Sequence, residues 1–166
     1  LVGLCIAAVT AATDGAKREL RKLRLVMAGN PSDGEGPGYW VAYVLFSLTC
    51  ACAACAVTHA TCPEAAGSGV PEMKTILGGV VKPSLLSVRA LVAKEVGLVL
   101  ALAAGLSIGG EGPNVHMACI IADLWMRHAA AFHAVRVNDQ RRLDALGAAC
   151  AAGVAASFGT PFGGVV

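Results

Sequence analysis

Apolar positions along this 166-residue chain fall in long blocks separated by short glycine- or proline-rich breaks, and the block lengths predict helices of two kinds. Leu1 to Thr13 is apolar and runs into the charged stretch Asp14 to Arg24, which predicts one long helix whose last turns leave the membrane. Pro31 to Gly38 is rich in turn residues and predicts a loop. Trp40 to Ala60 is the clearest span, since about 20 apolar residues at about 1.5 Å each cross a hydrocarbon core of about 30 Å. Tyr39 and Trp40 mark its interfacial end. Pro71 to Val81 is too short to cross, and such half-helices occur where their ends line a cavity. Ser84 to Ile108 predicts a second span, interrupted by Arg89, Lys94 and Glu95. Pro113 to His128 predicts a helix, His133 to Arg142 a polar connection, Asp139 to Ser157 a helix packing through Ala and Gly, and Thr160-Pro161 the start of one more. The expected fold is an all-α membrane bundle of about six or seven elements, several short or broken.

Composition supports the membrane assignment. Hydrophobic residues make up 56% of the chain and charged residues 14%, with a mean hydropathy of +0.66, against about 45–50% and about 25% in soluble domains. Thirteen Lys and Arg against 11 Asp and Glu leave no basic face for a nucleic acid. The chain starts at Leu1 inside an apolar run with no basic leader, and it reads as an internal piece of a longer protein. Cys50, Cys52, Cys55, Cys119 and Cys150 lie inside apolar helical patterns and read as reduced packing residues. Cys52 and Cys55 form a C-x-x-C, but no strand–helix pattern surrounds it as a redox site requires.

Two glycine-rich breaks carry the candidate chemistry. Gly67-Ser68-Gly69-Val70-Pro71-Glu72 and Gly109-Gly110-Glu111-Gly112-Pro113 each open an apolar segment. The first amides of a helix lack intrahelical partners and carry about half a positive charge, so such starts attract anions. Glycine lets an ion approach the backbone, and proline near the start sacrifices no bond. Two such starts in one membrane chain point to a pathway for a small anion. Glu111 is an acidic side chain at membrane depth, which costs about 2.5–3.5 kcal/mol on insertion scales and is therefore rarely idle. The plainer reading of Glu111 is a carboxylate that complements the helix dipole, and that of Ser68 an ordinary capping hydroxyl.

The runs EAAGSGVPEMKTIL (Glu64 to Leu77), GLSIGGEGPNVH (Gly105 to His116) and AAGVAASFGTPFGG (Ala151 to Gly164), with LVAKEVGL (Leu91 to Leu98) between the first two, resemble successive signatures of the CLC family of chloride channels and chloride/proton exchangers, with a eukaryotic flavour. The resemblance implies that residues 1–166 are the first of the two inverted halves of a CLC transmembrane domain, truncated at both ends, with broken and partial helices. It implies voltage-gated chloride conduction or chloride/proton exchange, no enzymatic activity, and no cofactor beyond the transported chloride. It further implies a multi-pass protein in a plasma or organelle membrane, with lipid around it and a second copy beside it in a homodimer.

Position by position, the resemblance assigns Ser68 as a hydroxyl donor to chloride and Glu111 as the gate, whose ionised carboxylate competes with the anion. Gly67, Gly69, Val70, Pro71, Gly110, Gly112 and Pro113 complete the two anion-binding starts. Family members with proline at the position of Ser68 are associated with nitrate preference, so Ser68 implies chloride. Lys94, seventeen positions before Glu111 (111 − 94), resembles a pore-side lysine. Its alternatives are neutralisation by Glu95 or snorkelling to the interface. Arg89 reads as an interfacial anchor.

Some positions depart from the family pattern. Gly110 stands where the family usually has Lys or Arg, which implies a weaker attraction for chloride beside the gate. Thr160 replaces a usual alanine, a small change. Lys17, Arg18, Arg21, Lys22 and Arg24 would place their end in the cytoplasm by the positive-inside rule, whereas family topology puts the following loop outside, and the family topology is preferred. His59, His116, His128 and His133 form no metal pair, the last two being five apart and off one helical face. His116 reads as a packing or polar-contact residue, with tuning of Glu111 as the alternative, and Asp123 as paired inside the bundle. An intramembrane enzyme and a non-conducting fragment that modulates a full-length relative remain the rival functions. The first lacks an H-E-x-x-H pair or a P-loop lysine.

Overall fold

The structure is a computed structural model and describes residues 2–28, 37–80, 82–129, 132, 135 and 137–160. The described residues form six α-helices and no strand. Helix α1 spans Val2–Ala28, α2 Pro37–Thr61, α3 Val70–Leu77, α4 Val88–Ala103, α5 Glu111–His128 and α6 Asp139–Phe158, with a single 3₁₀ turn at Pro63–Ala65. Helix α1 touches α2, α4, α5 and α6, while α2 packs most closely on α4 and α5 on α6. The short α3 leans on α5 and α6.

Helix α1 is continuous from the apolar block through the charged one, as its sequence predicts. Two of its cations are matched along the same helix. Lys17 pairs with Asp14 at 3.0 Å and Lys22 with Glu19 at 2.7 Å. Arg24 folds inward, its guanidinium 4.8 Å above the Tyr43 ring and donating to the Ala103 carbonyl at 3.4 Å, so α1 is tied to α2 and α4. Within α2, the segment Gly38–Thr61 is the one helical stretch among the described residues long and apolar enough to cross a membrane, with a mean hydropathy of 2.0. Cys52 and Cys55 are exposed on α2, a correction to the packing role expected of them.

The expected span Ser84–Ile108 is shorter than its sequence predicts. Helix α4 holds 16 residues, or about 24 Å at about 1.5 Å each. Its end is set by Gly105, whose φ of +84° is a left-handed turn that side chains with a Cβ rarely adopt. The Gly105 amide donates to the Leu102 carbonyl and the Leu106 amide to that of Ala101, which satisfies the last carbonyls and stops the helix. At its start Ser87 accepts from the Ala90 amide at 3.2 Å, and Arg89 is exposed in the first turn. Helix α5 begins two residues earlier than the expected Pro113, so Glu111 lies inside its first turn. The expected helix from Thr160-Pro161, most of the loop 31–38, and His133 lie outside the described residues.

The core lies between α3, α4, α5 and α6, where Met73, Leu86, Ala93, Ile120 and Leu146 are buried. Small residues set the helix spacing. A Cβ on Gly153 of α6 would lie 2.8 Å from the Val115 Cα of α5, and one on Gly97 of α4 would lie 2.8 Å from the Thr58 hydroxyl of α2. Asp123, 1% exposed, is paired within the bundle as expected: Arg142 of α6 donates to it from two nitrogens at 2.9 and 3.3 Å, and Arg127 lies one turn along α5. Asn138 caps α6 by accepting from the Arg141 amide at 3.2 Å.

Candidate functional site: two helix starts in contact

The start of α3 is shaped by glycine. Gly69 is its capping residue with a φ of +84°, Val70 and Pro71 occupy the first turn, and the Met73 amide donates to the Gly69 carbonyl at 3.0 Å. The capping position therefore falls on Gly69 and not on Ser68. The Ser68 hydroxyl accepts from the Val70 amide at 3.4 Å, is exposed, and keeps its own proton free to donate outward. Gly69 is buried against His116, and a Cβ there would come within 2.5–2.7 Å of the imidazole. His116 itself is fully buried, and its Nε2 donates to the Leu85 carbonyl at 3.1 Å. The imidazole thus serves as the wall behind Gly69, in line with the packing role.

The start of α5 lies directly alongside. Gly110 caps the helix, Glu111, Gly112 and Pro113 form its first turn, and the Asn114 amide donates to the Gly110 carbonyl at 2.9 Å. A Cβ on Gly112 would stand 2.7 Å from the Ser68 Cβ, so only glycine lets the two helix starts meet this closely. Both positive dipole ends thereby converge on one place. The Asn114 amide nitrogen donates to the Ser157 hydroxyl at 3.1 Å, which fixes the first turn of α5 against α6. The Glu111 carboxylate is exposed and folds back over Gly109, occupying the room a side chain there would take.

Lys94 completes the arrangement from α4. It is 4% exposed, and its ammonium donates to the Gly67 carbonyl at 2.9 Å. Neither alternative for this lysine applies. It does not snorkel, and Glu95, on an adjacent helical position that faces another way, is hydrogen-bonded to Thr13 of α1. Glu72 lies within electrostatic reach of Lys94. A cavity of about 140 Å³ runs between Thr58, Ala66, Gly67, Lys94, Gly97 and Pro113, joining the lysine to both helix starts. One further cation escaped the sequence reading. A Cβ on Gly110 would lie 4.0 Å from the Lys17 ammonium of α1, so a cation, itself paired with Asp14, stands beside the position from which a side-chain cation is missing. Its only sequence signal is the basic block of α1, which does not say which helix that block meets. Among the described residues no group of three or more His, Cys, Asp or Glu could hold a metal ion.

Comparison with known proteins identifies the family. Residues 49–166 match the family model described as Voltage gated chloride channel. The chain is 46% identical over 131 residues to Chloride channel protein clh-3 of Caenorhabditis elegans, covering 78% of this chain and 12% of that protein. It is 41% identical over 127 residues to Chloride channel protein 2 of Homo sapiens, covering 76% and 14%. Against H(+)/Cl(-) exchange transporter 5 of Rattus norvegicus the identity is 45% over 124 residues, covering 75% and 15%. The fold superimposes on a solved structure described as a eukaryotic CLC transporter with a TM-score of 0.92 and 37% identity, covering 99% of this chain and 30% of that one. The chain thus spans less than a sixth of the length of these curated relatives. A glycine-opened half-helix meeting a second glycine-opened helix, in a bundle superimposable on a CLC transporter and matched by the family model over most of its length, means that this chain belongs to the CLC family of voltage-gated chloride channels and transporters.

Proposed function

We propose that residues 1–166 form the first inverted half of a multi-pass CLC membrane domain, and that the whole protein moves chloride across a membrane as a channel or a chloride/proton exchanger. The observation that carries this reading is the contact between Ser68 and Gly112, which brings two helix starts to one spot. Unpaired amides at these starts, with the Ser68 hydroxyl, replace part of the hydration shell that chloride sheds. Gly67, Gly69, Val70, Pro71, Gly110, Gly112 and Pro113 shape the backbone of this half-site. The buried Lys94 ammonium raises the potential around it without binding the ion, and Lys17, paired with Asp14, adds a weaker contribution. Glu111 is the gate: its carboxylate, already in the first turn of α5, carries the charge of the anion it competes with and withdraws when protonated.

Lipid is the proposed neighbour of α2, whose Trp40, Val41, Val44, Leu45 and Leu48 form one face with 54–58% exposure. The relatives are named as a chloride channel and a proton/chloride exchanger, which supports transport over catalysis and leaves coupling as the question for experiment. The test is chloride flux with simultaneous proton recording on the full-length protein in liposomes. Replacing Glu111→Gln is expected to remove the pH and voltage response of chloride movement. Wild-type responses in that variant would dismiss Glu111 as the gate.

A further inference from the structure

The α5–α6 interface holds a pair of neighbouring thiols that the proposed anion pathway does not use. The Cys119 sulfur, fully buried on α5, lies 3.0 Å from the Cys150 sulfur on α6. Cys119 also points at the Leu146 carbonyl, 3.6 Å away, and Cys150 is partly exposed. No other hydrogen bond to either thiol occurs among the described residues. A disulfide needs the sulfurs at about 2.0 Å, so the pair has only about 1 Å to close. A tetrahedral zinc ion with each thiolate at about 2.3 Å would hold them about 3.8 Å apart, so metal binding requires the pair to open. The geometry favours a bond between the sulfurs over a shared metal.

We propose that Cys119 and Cys150 are a disulfide-forming pair that reacts with a small hydroperoxide and joins α5 to α6. Cys150, the more exposed thiol, attacks the outer peroxide oxygen as its thiolate. The O–O bond breaks, Cys150 becomes a sulfenic acid, and the alkoxide leaves as an alcohol carrying the thiol proton. The Cys119 sulfur then attacks the sulfenyl sulfur, the S–O bond breaks, and water leaves with the second proton as the S–S bond forms. Two thiols lose two electrons, and one peroxide is reduced to one alcohol and one water. Because α5 carries Glu111 in its first turn, the bond ties the helix behind the proposed gate to its main packing partner.

The full-length protein in its membranes tests this directly. Samples treated with tert-butyl hydroperoxide are unfolded, alkylated with N-ethylmaleimide, digested without reduction and read by mass spectrometry. The expected result is a Cys119–Cys150 linked peptide pair, absent without oxidant and released by dithiothreitol, with alkylation of Cys119 reduced at least fivefold. Full alkylation of both cysteines after treatment, or linkage of either one to a different cysteine, would overturn the proposal. In Cys150→Ser, Cys119 is expected to stay alkylatable under the same oxidant. Equal loss of Cys119 in that variant would show that its oxidation does not need the partner.

Discussion

Gly112 carries a constraint that its neighbours in the first turn of α5 do not. Its position is helical, so alanine fits the backbone, yet the added methyl would stand 2.7 Å from the Ser68 Cβ. That atom belongs to a short side chain and cannot swing away, so the two helix starts must separate. Gly112→Ala is therefore expected to weaken chloride binding in the full-length protein by at least tenfold while the helices still form. Unchanged chloride affinity with unchanged circular dichroism would show that the contact has no part in the site. Lys17 acts by charge alone. Its ammonium is paired with Asp14 at 3.0 Å, so its effect on an anion is small and screened by salt. Lys17→Gln is expected to lower chloride flux about twofold at low salt and less at high salt, whereas a salt-independent loss would point to a packing role. These residues differ in how far the sequence reveals them. The Gly-Ser-Gly and Gly-Glu-Gly-Pro runs are visible as local patterns because they create a local backbone shape. The partners of Lys94, Glu95 and Lys17 are not, since Gly67, Thr13 and Gly110 lie 27, 82 and 93 (110 − 17) positions away.

Among the elements, composition defines α2 well, the start but not the end of α3, and α4 poorly. Helix α2 is apolar on every face, so no periodicity is needed to place it. Helix α3 is bracketed by Gly69 at its start and by Gly78 and Gly79 after its end, and the start is legible, whereas the expected segment Pro71 to Val81 runs past the helix end at Leu77. In α4 the apolar run continues past the last helical residue, and only Gly105 signals the stop. Apolar content reports what surrounds a segment, while helix ends are set by the backbone's need for hydrogen-bond partners, so a span read from hydropathy alone runs too long. The α5–α6 pair depends on a different feature, the missing side chain of Gly153. Its Cβ would meet the Val115 Cα at 2.8 Å, the Ala118 Cβ at 3.0 Å and the Asn114 carbonyl at 3.1 Å. Two of these are main-chain atoms, which can move only with the whole helix. Gly153→Ala is expected to cost about 1–3 kcal/mol, read as a lower midpoint of thermal unfolding in detergent. A midpoint equal to wild type would mean that the helices are less tightly packed than described.

For the molecule as a whole, the central event is the meeting of elements that the sequence separates. Ser68 and Gly112 are 44 positions apart (112 − 68), and α4 brings Lys94 to the Gly67 carbonyl beside the α3 start. Periodicity cannot show this, because it records which face of a helix is apolar and not which helix start lies beside another. The resemblance between the glycine-rich runs and the CLC signatures supplied the expectation, and the fold supplies the convergence. Three positive features then lie close together, two dipole ends and a buried ammonium. Under the proposed function this field favours an anion, with an acidic side chain in the first turn at each start, Glu72 on α3 and Glu111 on α5. The most direct test is a bromide-soaked crystal of the full-length protein, examined by anomalous scattering. The account predicts a bromide peak in contact with the Ser68 hydroxyl and the first amides of α5, strengthened in Glu111→Gln. A well-ordered map with no halide beside either helix start would contradict it.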